Sequence, residues 1–377
     1  MAVRFGFIST YPPTQCGLAT FTSALLEALS AAGAEDARVA RLLDTPQRRG
    51  GAEVVADIFT GGPERSVGRL NDCDVVIVQH EFGVYGGPDG DDVLRLVAEL
   101  TVPTIVVLHT VLTDPSPHQR EVLEALTAAA SAVVTMTRTA HDRLAAGYRV
   151  DLGKVSVIAH GAPEPSAAST NLSAVFRSGQ PTILTWGLLG PGKGVEWGIE
   201  ALALLHTLRP APRYVVAGQT HPKVIERQGE AYRESLGGLI QQRGLTGSVL
   251  MDGHYRDTPS LTELVASADV VLLPYDSTDQ VTSGVLIEAV AAGKPVVATQ
   301  FPHAVELLSD GAGLVVPHRD PAAIAEALRT VLTRPAVAAA MSRAALAAAP
   351  GLRWSAVADQ YRQLAARLIV EAATVAA

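Results

Sequence analysis

Short, almost wholly apolar runs alternate along the chain with longer stretches in which apolar residues recur three and four positions apart. The runs at 3–8, 75–79, 104–108, 132–136 and 155–158 predict one set of strands, and those at 182–186, 213–217, 249–251 and 296–298 a second. Rich in Val and Ile with few polar interruptions, they read as strands covered on both faces, as in parallel sheets. The stretches between them supply the cover. Thr20 or Thr22 caps a helix through Ala32 with Phe21, Leu25, Leu26 and Leu29 on its apolar side, and Thr137 or Thr139 opens another that runs to Ala146. Helices follow at 196–208, at 223–243 as one charged, solvated element, from Ser283-Gly284 to Gly293, from Pro321 to Arg334 and over 354–374. Strand and helix in alternation predict an α/β architecture, and 377 residues fit two such domains rather than one core. The boundary falls in 166–180, a Ser-, Ala-, Thr- and Gly-rich linker between halves at 1–165 and 181–350.

Open parallel sheets bind ligands beyond the C-terminal ends of their strands, so the loops at those ends carry the candidate chemistry. After the first strand comes a long loop ending in Gly17, without the G-x-G-x-x-G of dinucleotide binders. Gly17 and Thr20 are the candidates in this loop, with a plain turn glycine and cap as the alternative. The second recognised strand empties into His80, Glu81, Phe82, Gly83, Val84 and Tyr85, which is the rim of an acceptor pocket or a hydrogen-bonded structural pair. His109 ends the next. In the second half Gly187 to Lys193 has the G-x-x-x-x-G-K spacing of a P-loop, but Gly194 stands where such a loop needs Ser or Thr for magnesium. The stretch 275–299 organises the whole chain: a polar loop, a helix opened by Ser283-Gly284 whose free amides suit a diphosphate, and a lone carboxylate, Glu288, in an apolar helix where a ribose could be held.

The segments 187–194 and 280–298 resemble the nucleotide-binding signature of retaining GT-B glycosyltransferases, family 4 in particular. That resemblance implies two Rossmann-like domains facing across a cleft, with the last helix, 354–377, crossing back to the N-terminal, acceptor-side domain. It implies transfer of a hexose from a nucleotide diphosphate sugar with retention, without a metal or other cofactor and without an enzymic base. Glu288 matches the family's second glutamate, which holds the ribose. The first is replaced by Gln280, which still accepts and donates, and Leu188 stands where the family has an arginine beside the diphosphate. His109, Lys193 and Glu288 are the residues that the resemblance assigns to the reaction. Gly17, Gly187, Lys193, Gly218, Gln280, Thr282, Ser283, Gly284 and Glu288 bind the donor, with Tyr255 a neighbour of the base. His80, Glu81 and Tyr85 face the acceptor, which is a carbohydrate, a lipid-linked or a small molecule.

Charge and cysteines narrow the alternatives. The net charge is −8, with −7 in residues 1–165 (13 Lys+Arg, 20 Asp+Glu), which argues against a nucleic-acid surface. Cys16 and Cys73 lack any metal-ligand spacing. No apolar run is long enough to span a bilayer, so the expectation is a cytoplasmic protein with no integral membrane segment; the oligomeric state stays open. A sugar-nucleotide epimerase of the same fold, a non-catalytic sugar-nucleotide-binding protein and a nucleoside triphosphatase are the competing readings.

Overall fold

The computed structural model describes residues 3–45, 51–59, 67–164 and 179–376. It divides into two compact units, Met1–Gly161 with Trp354–Ala377, and Ala162–Arg353. Apart from 179 and 180, the linker 166–180 lies outside the described residues.

Unit 1 is built on β1 (Arg4–Ser9), β2 (Glu35–Leu43), β3 (Val54–Phe59), β4 (Val75–His80), β5 (Thr104–Leu108), β6 (Ala132–Thr135) and β7 (Val155–Val157). All pair in parallel in the order β3-β2-β1-β4-β5-β6-β7. The helices are α1 (Gly17–Ala31), α2 (Asp92–Ala98), α3 (Pro117–Ala129) and α4 (Arg138–Gly147), with the C-terminal helix Trp354–Ala376 completing the unit. Alternate residues of the strands, Phe5, Phe7, Val75, Ile77, Ile105 and Val107, meet Phe21 and Leu25 of α1 and Trp354 and Tyr361 of the C-terminal helix in one core.

Two strands escape the apolar pattern. β2 carries Arg38 and Arg41, yet Arg41 is fully buried because β3 places Asp57 beside it in register, 2.8 Å away. The start of α1 also differs from expectation. Cys16, not Thr20 or Thr22, is the cap: its Sγ accepts the Ala19 N–H at 3.4 Å, while the Thr22 hydroxyl turns inward to Ser9 Oγ. Thr137 caps α4 as one of the two expected candidates.

Unit 2 contains β8 (Thr182–Trp186), β9 (Arg213–Ala217), β10 (Val249–Asp252), β11 (Val270–Leu273), β12 (Val296–Thr299) and β13 (Gly313–Val316), parallel in the order β10-β9-β8-β11-β12-β13. Its helices are α5 (Val195–Ala203), α6 (Pro222–Gln228), α7 (Ala231–Gln242), α8 (Thr258–Ser267), α9 (Gly284–Ala291), α10 (Pro302–Leu307), α11 (Pro321–Thr333) and α12 (Pro335–Leu352). The single helix expected over 223–243 is two, broken at Gly229, whose φ of 59° ends α6. In each sheet the strand order reverses once, between β1 and β4 and between β8 and β11. Those reversals separate the loops that follow the two strands and open a crevice for a ligand.

Candidate functional site

At the reversal in unit 2, the loop after β8 is pinned at both ends. The Gly187 N–H bonds to Ala217 O at 3.0 Å, and the Lys193 N–H closes a turn on Gly190 O at 3.1 Å. Gly194 has φ 63°, and the place of a Cβ there is filled by the Pro274 carbonyl. The serine or threonine of a P-loop therefore has no room. The Asp276 N–H bonds to Gly192 O at 2.9 Å, and the Trp197 indole donates to Asp276 Oδ1 at 2.9 Å. The lysine loop and the loop after β11 are thus one assembly. Within it the Lys193 ammonium lies 4.4 Å over the Tyr275 ring.

Helix α9 begins beside this assembly, since a Cβ on Gly187 would touch the Val285 side chain at 3.6 Å. Ser283 is its cap, accepting the Leu286 N–H at 3.2 Å and giving its own N–H to His303 Nδ1 at 2.8 Å. Capping leaves the amides of Gly284 and Val285 as the open donors of the first turn. Gln280 turns its Nε2 back to Thr282 O at 3.0 Å, and the Thr282 hydroxyl is buried without a partner. Glu288 lies one turn into α9 and accepts the Trp186 indole N–H at 3.1 Å. Burial pushes its carboxyl up to about 7, and the indole bond pulls the other way.

Gly218 is required to be glycine by the protein's own packing. Its φ is 136°, and the space of a Cβ belongs to the Gly187 carbonyl, so the close approach that glycine allows is between two loops of the protein. Arg233 of α7, in a helix that the sequence left without a role, reaches the Gly218 carbonyl. Tyr255 is exposed on an open depression that it shares with His254, Arg256, Asp257 and Ser260.

In unit 1 two expected rim residues are interior. β4 runs on to His80, which has no exposed surface and no partner on either ring nitrogen, and burial lowers it to about 4. Tyr85 is 5% exposed and spends its hydroxyl on Gln79 O at 2.7 Å. The chain after β4 folds back tightly enough that the Phe82 carbonyl fills the Cβ place of Gly90. Glu81 remains partly open and accepts the Thr110 hydroxyl. His109 is half-buried, with Nε2 2.6 Å from Gln79 Oε1 and the Phe21 ring edge-on at 5.0 Å. Burial, with His160 and His80 nearby, holds it down at about 3. Gly17 is the exposed first residue of α1, and nothing lies within 4 Å of a Cβ placed there, so no steric demand requires glycine.

Trp186, Gln79 and His303 were not foreseen. Each acts on a site residue 20 or more positions away in sequence, and no local spacing announces such a partner.

Residues 180–334 match the family model of the glycosyl transferases group 1. Unit 2 carries a group 1 glycosyltransferase domain. The chain is 30% identical over 267 residues to a D-inositol 3-phosphate glycosyltransferase of Streptomyces avermitilis, a match that covers 66% of this chain and 55% of that protein. It is 29% identical over 218 residues to a glycogen synthase of Mycobacterium tuberculosis, covering 56% and 48%. The chain thus spans about half the length of the curated relatives it matches. Among solved structures, a sucrose-phosphate synthase from Thermosynechococcus elongatus superposes with TM-score 0.78 at 20% identity, over 98% of this chain and all of that one. HepE of Anabaena, in complex with UDP and glucose, superposes with TM-score 0.73 at 18% identity, over 96% and 98%. At such identities the likeness speaks to the fold, and the fold of this glycosyltransferase-domain chain is GT-B.

Proposed function

We propose that the protein transfers a hexose from a nucleoside diphosphate sugar to an acceptor hydroxyl, with retention at the anomeric carbon and without a metal. The observation that carries this reading is the meeting of the lysine loop with the α9 N-terminus at the strand reversal of unit 2, inside the segment that matches the family. As the bond from the anomeric carbon to the diphosphate breaks, the leaving oxygen takes the electron pair. Lys193 and the open amides of Gly284 and Val285 stabilise that charge. With no enzymic base, the proton of the acceptor hydroxyl goes to the leaving phosphate oxygen. Glu288 holds the ribose hydroxyls once ionised, and Gln280 Oε1 accepts from the sugar.

The test is a thermal-shift screen of UDP-, GDP- and ADP-sugars and the bare nucleotides on the wild type and on Glu288→Ala. At about a hundred times its Kd a ligand stabilises by about 2.7 kcal/mol. Stabilisation by one nucleotide series, lost in the variant, supports the reading, and the HepE complex makes UDP-glucose the first candidate. No shift with any series, in well-folded protein, removes it. Binding with neither transfer nor hydrolysis leaves a non-catalytic sugar-nucleotide-binding protein.

A further inference from the structure

The chain has four lysines, Lys154, Lys193, Lys223 and Lys294. Lys154 and Lys294 give their ammonium groups to carbonyls at the ends of α3 and α8. Lys193 is held differently. Among the described residues its ammonium has no hydrogen bond and no ion pair, and what it meets is the Tyr275 ring, 4.4 Å from Nζ to the centroid. The carboxylate that adjoins this ring is committed elsewhere. Asp276, set against the lysine loop by its N–H bond to Gly192 O, accepts the Trp197 indole on Oδ1 at 2.9 Å and faces Arg319 Nε with Oδ2 at 3.3 Å. Arg319 reaches it from a backbone φ of 56°, in the left-handed region that residues with a side chain seldom occupy.

The ring that receives the ammonium is itself held from several elements. Tyr275 is 1% exposed, and Phe301 stacks on it with centroids 5.1 Å apart and planes at 26°. Its carbonyl accepts the Thr299 hydroxyl at 2.6 Å and the His318 Nδ1–H at 2.8 Å. The Tyr275 hydroxyl is buried without a partner, so no hydrogen bond accounts for a tyrosine here, and the ring face is what the residue offers. An aromatic face attracts an ammonium through its quadrupole but, unlike a carboxylate, brings no opposing charge. Lys193 is thereby fixed and still open to an anion.

We propose that Tyr275 is the positioning residue of the lysine loop: its ring holds the Lys193 ammonium in place and unpaired, with Asp276 drawn away by Trp197 and Arg319, so that the N–H donors await a diphosphate. Holding the cation beforehand spares the ligand the cost of ordering a long flexible side chain. All of these residues belong to unit 2, and the inference deepens the diphosphate-sugar reading of the same site, on which it rests.

The experiment keeps the two apart. In the full chain labelled with 13C-lysine, the ε-methylene signal of Lys193, assigned by its loss in Lys193→Met, should lie upfield of the other three because it sits over a ring face. Tyr275→Phe, which keeps the ring and removes only the unpartnered hydroxyl, should retain that shift, and Tyr275→Leu should abolish it. A wild-type Lys193 signal level with the other three overturns the proposal before any ligand is added. Titration calorimetry with UDP, GDP and ADP then reads the coupling. For the diphosphate that binds, Tyr275→Leu should weaken affinity about fivefold, and Tyr275→Phe should restore it. In the Lys193→Met background Tyr275→Leu should add nothing. No loss in Tyr275→Leu, or a loss of the same size with and without Lys193, overturns the proposal while nucleotide binding stands. Wild type that binds none of the three diphosphates removes the reading itself, and this inference with it.

Discussion

The strand tips of the two units solve opposite problems with the same physics. In unit 1 the buried groups at the strand tips are imidazoles, and burial lowers His80, His109 and His160 to about 4, 3 and 4. In unit 2 the buried group is a carboxyl, and burial raises Glu288 to about 7. Both sites are thereby made neutral, but one is a set of bases far from titrating near neutrality and the other an acid poised there. The difference teaches which of these buried groups senses pH. The three histidines keep one protonation state across the physiological range, while Glu288 changes at its centre.

The largest way to break that comparison is to disturb the glycine geometry that only unit 2 depends on for its lysine. Gly194→Ala puts a Cβ into the Pro274 carbonyl at a φ of 63°. A loss of about 3 kcal/mol or more is expected in denaturant unfolding, read on Trp186 and Trp197 with Trp354 replaced. Next in size is Glu288→Ala, which removes a charged acceptor from the ribose and should weaken nucleotide binding on the order of a hundredfold by calorimetry.

The pH responses come third and have opposite signs. The His80 value falls from 6.5 unfolded to about 4 folded, so the unfolded chain binds the extra proton, and stability present above pH 6.5 is lost as pH falls through about 4. Glu288 rises from 4.5 to about 7, so its contribution is full below 4.5 and is lost as pH rises through about 7. Each group contributes at most about 1.4 kcal/mol per pH unit. Trp354 fluorescence should report unit 1 weakening in acid, and a unit 1 indifferent to pH between 6.5 and 4 would contradict the burial assigned to its histidines. For the ligand the sign follows from Glu288 having to ionise before it accepts two hydroxyls: nucleotide affinity should climb by up to about tenfold per unit as pH approaches 7, and Glu288→Gln should flatten it. The smallest effect is the cap. Ser283→Ala should cost about 1 kcal/mol in stability and weaken nucleotide binding only slightly, because the open amides of α9 remain.

The comparison also explains what a reader of the sequence could see. Lys193 and Glu288 stand out because each is charged in a glycine-rich or apolar setting. The nine runs of Val and Ile named at the outset all became strands, and in most of them burial on both faces leaves no room for alternation. β2 and β3 stayed hidden because Arg41 and Asp57 neutralise one another only after the strands pair. Cys16 was passed over as a cap since thiol sulfur is a weak acceptor beside the nearby threonines. His80 and Tyr85 were placed on a rim because a strand end was taken for a surface, and the fold-back of 81–90 covers it. Trp186 bonds to a residue 102 positions away, beyond any local pattern.

The C-terminal helix has a consequence for how the chain is made. Its Trp354, Val357, Ala358, Tyr361, Leu364, Ala365 and Leu368 belong to the core of unit 1, but a ribosome must first synthesise all of Ala162–Arg353. At about 5–20 residues per second that interval lasts roughly 10 to 40 seconds. Throughout it the apolar side of α1, with Phe21, Leu25 and Leu29, lacks its partner, while unit 2, a continuous segment, can complete itself. The half that emerges first is therefore the half that finishes last, and during translation it is the one that a chaperone has reason to hold.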